Sequence, residues 1–146
     1  MAGKSFTVEN PRGLTDALLA LDEAVSESTL RQAAVAGARV VFNEARLRAP
    51  VAAKAYERKG TTIYPGFLRD HMLIAYDKET SVPGRIASYI VTWSKEAFYG
   101  RFVENGTSKM AARAFLRPAF DATRGEVAVT INDVIQKKVQ ELTRGK

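Results

Sequence analysis

Apolar residues recur at helical spacing in three stretches of the chain. Leu14, Leu18 and Leu21 fall on one face and predict a short helix from about Leu14 to Val25. A longer helix is expected from about Ser28 to Arg48, with Leu30, Ala34, Gly37, Val41 and Ala45 as its buried stripe. Ala33, Ala34, Ala36, Gly37 and Ala38 make one side of it thin, so another element can approach closely. Glu44 precedes Arg48 by one turn, the favourable order for an ion pair. Arg46 and Arg48 also meet the negative end of the helix dipole, and Ala49-Pro50 stops the helix. The third stretch starts at Pro118, whose missing N–H costs nothing in a first turn, and runs to about Leu142. Val127, Ile131, Val134, Ile135, Val139 and Leu142 form its stripe. Gly125 weakens it by roughly 1 kcal/mol relative to alanine.

Alternation of period two marks the middle of the chain. Met72, Ile74 and Tyr76 alternate with Leu73 and Ala75, and Ala87, Tyr89, Val91 and Trp93 with Ile86, Ser88, Ile90 and Thr92. Ser81-Val82-Pro83-Gly84 between them is a turn signal, so an antiparallel hairpin is expected. Residues 50–66 show neither period and hold Gly60, Pro65 and Gly66; they are expected as a mobile loop. Asn10-Pro11 disfavours helix, and residues 1–12 are read as an extended arm. The fold class that follows is α+β, one domain over 13–146: N-terminal helices, an antiparallel hairpin or small sheet, and a long C-terminal helix.

Composition narrows the chemistry. The 146 residues suit one modest core, and cysteine is absent, which excludes disulfides and thiolate metal sites and fits a reducing compartment. No apolar run reaches the roughly 18 residues of a membrane span, and residues 1–10 lack a signal-peptide pattern, so a cytosolic product is expected. The single histidine, His71, adjoins Asp70, but Ser81, Ser88 and Ser94 have no nucleophile elbow around them. Asp22-Glu23 and Asp77/Glu79 are pairs in sequence only, and Gly60-Thr61-Thr62 and Gly106-Thr107-Ser108 lack the spacing of a phosphate loop. No catalytic, cofactor or metal site is therefore expected, and the chain is read as non-enzymatic.

The net charge of +6 has one concentrated source. Arg46, Arg48, Lys54, Arg58 and Lys59 stand against Glu57 alone, candidates for contact with DNA phosphates or an acidic protein surface. The neighbouring aromatics Tyr56, Tyr64 and Phe67 suit either base stacking or anchorage in the core. No sequence-reading DNA motif is legible, so any such contact is expected to be non-specific.

The densest stretch is Tyr99-Gly-Arg-Phe102-Val103-Glu104-Asn-Gly106-Thr107-Ser108-Lys-Met110, followed by Ala112-Arg113 and Phe115-Leu116-Arg117-Pro118-Ala119. It resembles the signature of the gene-product-ten-like tail-component proteins of lambdoid siphophages, also called neck or tail-completion proteins. Ala49-Pro50-Val51 and Gly66-Phe67-Leu68-Arg69-Asp70 are similar to that family's helix exit and first-strand start. Ala111 and Ala114 stand where the family often has proline, and the link between Val51 and Gly66 is longer than usual. The resemblance implies a virion structural protein of the head-to-tail joint. It would form a homo-oligomeric ring around the DNA channel and touch other neck and tail proteins. Six copies are the first expectation; twelve also close. It further implies location in the virion, with the host cytoplasm as the place of assembly, and no membrane partner. A tail-terminator or head-closure (stopper) role is the alternative within that class; a non-enzymatic DNA-binding protein is the alternative outside it.

Within the stretch, Tyr99, Phe102 and Phe115 suit either core or interface anchors. Glu104 could accept backbone N–H groups or pair with Arg113 or Arg117. Gly106, Thr107 and Ser108 are expected to make a tight turn. Arg113 and Arg117 are expected to contact a neighbouring chain.

Overall fold

The computed structural model describes residues 15, 16, 18, 19, 22 and 26–144. Thr15, Asp16, Leu18, Leu19 and Asp22 are helical, within the stretch expected as the first helix. The rest of the stretch expected as helix, and residues 1–12, expected as an extended arm, lie outside the described residues.

Helix α1 spans Glu27–Arg48. Ser26 caps it, its hydroxyl accepting from the Thr29 N–H at 3.4 Å. The expected Glu44–Arg48 pair closes at 2.8 Å, and the Ala49 N–H returns to the Ala45 carbonyl before Pro50 ends the helix. Its buried row is Thr29, Ala33, Gly37, Val41 and Ala45, so Leu30 and Ala34 are only half-buried and the expected stripe is one residue off in its first two turns. A straight row of every fourth residue is the ridge that seats one helix in the groove of another. The partner is the C-terminal helix, and at Gly37 the two approach closely. A Cβ there would lie 2.9 Å from the Ile131 side chain and 3.2 Å from Val127.

Residues 50–66 are not without regular structure. Strands β1 (Tyr56–Arg58) and β2 (Thr61–Ile63) form an antiparallel hairpin with Tyr56 opposite Ile63 and Arg58 opposite Thr61. Lys59 and Gly60, with φ of +48° and +79°, make a two-residue turn whose twist suits a hairpin. The Thr62 hydroxyl donates to the Glu57 carboxylate across the pair.

One short turn, α2 (Phe67–Asp70), leads into the expected hairpin of β3 (Met72–Tyr76) and β4 (Tyr89–Trp93). Met72 faces Trp93 and Tyr76 faces Tyr89. β4 starts later than its alternation suggests, because Ile86 closes a separate bridge with Val82 in the connecting turn. After a 3-10 turn at Lys95–Ala97 come α3 (Gly100–Asn105) and the long α4 (Leu116–Arg144). Gly100 lets α3 rest against the ring of Trp93, where a Cβ would be only 2.7 Å away.

The core gathers at one end of the α1–α4 pair: Ala45, Ile63, Phe67, Leu68, Met72, Ala97, Tyr99, Phe115 and Ala119. Each hairpin and the segment between β4 and α4 contribute to it. The fold is α+β, as the sequence pattern indicates.

Candidate functional site at the 99–119 corner

Aromatic residues begin the corner and bury it. Tyr99 is 6% exposed, Phe115 is fully buried, and Phe102 is partly buried against the same cluster. Tyr99 and Phe115 are therefore core residues of the fold and are not displayed as surface anchors. Their ring area is spent inside, Phe115 beside Trp93 at 6.0 Å between centroids and Tyr99 between Phe67 and Phe98. Burial, with the neighbouring Tyr56, pushes the Tyr99 phenol up to about 12 against the opposing charge of Arg58.

Glu104 binds the corner to the helix that follows. It lies at the inner face of α3 and is 7% exposed. Its Oε2 accepts the N–H groups of Phe115 at 2.7 Å and Leu116 at 3.0 Å, and its Oε1 accepts that of Arg117 at 3.0 Å. The next residue, Pro118, has no N–H, so one carboxylate satisfies the donors that open α4. Its charge also meets the positive end of that helix's dipole. Burial acts to raise the Glu104 carboxyl, but the three N–H groups and the charge of Arg117 outweigh it and hold the group below its ordinary value. Of the roles open to Glu104 in the sequence, the backbone cap is the one present. It is an internal fastener, not an exposed contact.

Gly106 then turns the chain with φ +77° and ψ 173°, a region almost closed to other residues. A Cβ there would meet the Ala112 nitrogen at 2.8 Å. Thr107 and Met110 exchange backbone bonds around Ser108 and Lys109, and the Thr107 hydroxyl accepts the Lys109 N–H at 3.2 Å. Thr107 thus closes the turn as expected, while Ser108 is exposed at its tip. The Arg113 N–H donates to the Val103 carbonyl at 2.7 Å, and Arg117 Nη2 donates to Asn105 Oδ1 at 3.0 Å.

Residues 107–114 are consequently fixed at both ends and exposed along their length. The Arg113 guanidinium makes no ion pair or hydrogen bond among the described residues. It stands at a groove of about 660 Å³ between the β1–β2 hairpin, the exit of α1 and the corner. Val51, Tyr56, Tyr64 and Met110 line that groove and are 41–54% exposed. Sequence reasoning missed Val51 and Met110 as surface residues. The only available signal was apolar side chains in segments otherwise polar. A second apolar concavity of about 560 Å³ lies elsewhere, between α1, β4 and α4, with Ile90 and Phe120 half exposed on it.

Four of the five cations of the basic run have partners within the fold. Arg48 pairs with Glu44, and Arg46 lies 3.7 Å from Asp70 and over the Phe42 ring. Arg58 and Lys59 sit over Phe98 at 5.3 Å and 4.8 Å, Arg58 also over Tyr99. Lys54 alone is exposed without a partner among the described residues. His71 stacks on Phe67 at 3.8 Å and its Nδ1 lies 2.7 Å from the Phe67 carbonyl, a position inside the fold's own packing.

Among the described residues there is no group of three or more acids and histidines arranged to hold a metal, and no helix long and apolar enough to cross a membrane. No known family model, curated protein or solved structure matches the chain.

Proposed function

We propose that this chain is a non-enzymatic structural subunit of a tailed-bacteriophage head-to-tail joint, a neck or tail-completion protein that closes into a homo-oligomeric ring around the DNA channel. The observation that carries the reading is the Glu104 fastener: the segment that resembles the tail-component signature is rigidly set by three backbone bonds and presents residues 107–114 outward. A display segment of that kind serves docking, since a rigid loop loses little entropy when it binds. A ring subunit also needs two unlike surfaces that meet head to tail, and the apolar concavity between α1, β4 and α4 is a candidate for one of them. Six copies remain the first expectation.

Native mass spectrometry and negative-stain microscopy of the purified chain test the reading, together with probing of purified particles for the chain at the neck. A closed ring, or a stoichiometric neck component, supports it. A persistent monomer absent from particles refutes it. The layer occupied in an intact neck separates tail completion from the terminator and stopper roles.

A further inference from the structure

The corner groove has a chemical bias that the reading above does not use. Its floor is aromatic and aliphatic, from Val51, Tyr56, Tyr64, Phe102 and Met110. Two guanidinium groups, Arg58 and Arg113, line it, and no aspartate or glutamate does. Neither arginine has a carboxylate partner among the described residues. The N–H of Ala111, which lines the groove, donates to no group among the described residues. Ala111 and Arg113, two positions apart, both line the groove.

We infer that this groove binds an extended segment of another protein that carries aliphatic side chains and at least one carboxylate. The apolar side chains cover the Tyr56–Tyr64–Met110 floor. The carboxylate takes the Arg113 fork, which matches its two oxygens. The Ala111 N–H takes a carbonyl of the incoming backbone. Charge argues against a second copy as the occupant. The chain carries +6, so a cationic groove meets a like-signed field in its own kind and an opposite one in an acidic partner. Nucleic acid could stack on Tyr56 and Tyr64, but the aliphatic Val51, Ala52, Met110 and Ala111 offer bases no planar surface and no lysine lines the groove, so an apolar peptide matches more of the floor. The inference rests on the proposed function only for the partner's place in the assembly.

Selection of a random dodecapeptide library, displayed on ribosomes, against the immobilised chain tests it. The expected outcome is enrichment of sequences with Leu, Ile or Phe at alternate positions and Asp or Glu among them. A synthetic peptide from that pool should bind at least tenfold more weakly to Arg113→Glu and to Met110→Glu, both exposed positions, and equally well to Lys137→Glu on α4. An unenriched pool, a basic consensus, an affinity indifferent to Arg113→Glu, or displacement of the peptide by a DNA duplex overturns the inference. Ring formation with an unenriched pool removes the groove proposal and leaves the neck reading standing; enrichment by a chain that stays monomeric and absent from particles does the reverse.

Discussion

Replacing Glu104 should loosen the corner from α4 by an amount the geometry allows one to work out. In Glu104→Ala the Phe115 N–H, buried behind a fully covered ring, loses its only partner, which costs about 1–3 kcal/mol. The Leu116 and Arg117 N–H groups are only partly buried, so water replaces some of what they lose; the missing cap adds about 0.5–2 kcal/mol. The sum, allowing for overlap, is about 2–4 kcal/mol out of the roughly 5–15 kcal/mol of an ordinary domain. Glu104→Gln should fall between. Its amide oxygen can serve Phe115 and Leu116 as Oε2 does, but its NH₂ then faces the Arg117 N–H, donor against donor, for a loss of about 1–2 kcal/mol. The pH dependence gives an independent check. The folded carboxyl is held below its ordinary value, so its contribution is complete above about pH 4.5 and drains away as pH falls through the folded value. Urea unfolding at fixed protomer concentration, at neutral pH and at about pH 3, measures both effects. An alanine variant within about 0.5 kcal/mol of the parent, or a parent-to-glutamine gap that does not narrow in acid, would refute the capping argument.

Two further predictions are direct. Gly106→Ala should destabilise by about 1–3 kcal/mol, because its φ of +77° is forbidding and its new Cβ runs into the Ala112 backbone, whereas Gly125→Ala, helical with open space around it, should stabilise by about 0.5–1 kcal/mol; the opposite signs are read from paired denaturation curves. Burial holds the Tyr99 phenol neutral up to about 12, so its share of stability is intact below the ordinary tyrosine value near 10 and is lost as pH rises between the two; Tyr99→Phe should lose less stability over that interval, and ultraviolet difference titration should show one late-titrating phenol vanish.

How much of this was legible in the residues depends on how local the cause is. Strand β3 and the ends of α1 and α4 follow from period, caps and Pro50, and the structure matches them to within two residues. The β1–β2 hairpin was hidden. Its strands have three residues each, too few for alternation to register, and its turn is Lys59-Gly60 in place of the usual Asn-Gly. The visible hint was β-branched Thr61-Thr62-Ile63 immediately after Gly60. On α1 the choice between Ala33 and Ala34 was undecidable from hydrophobicity, since two methyl groups differ only in where α4 lies. At the corner, the turn at Gly106 is local chemistry and could be read. That Glu104 accepts backbone N–H groups was one of two readings; which groups could not be read, because the donors come 11 to 13 residues later, beyond any capping spacing written in sequence.

The 29 residues of α4 extend roughly 43 Å from the carboxylate that anchors their first turn. That anchor works as a fulcrum: a tilt of about ten degrees there would sweep the distal tip through roughly 7 Å, by the same helix rise. The far end of α4 is thus aimed jointly by that side chain and by the seat of Val127 and Ile131 against Gly37, and a shift at either is magnified at the tip.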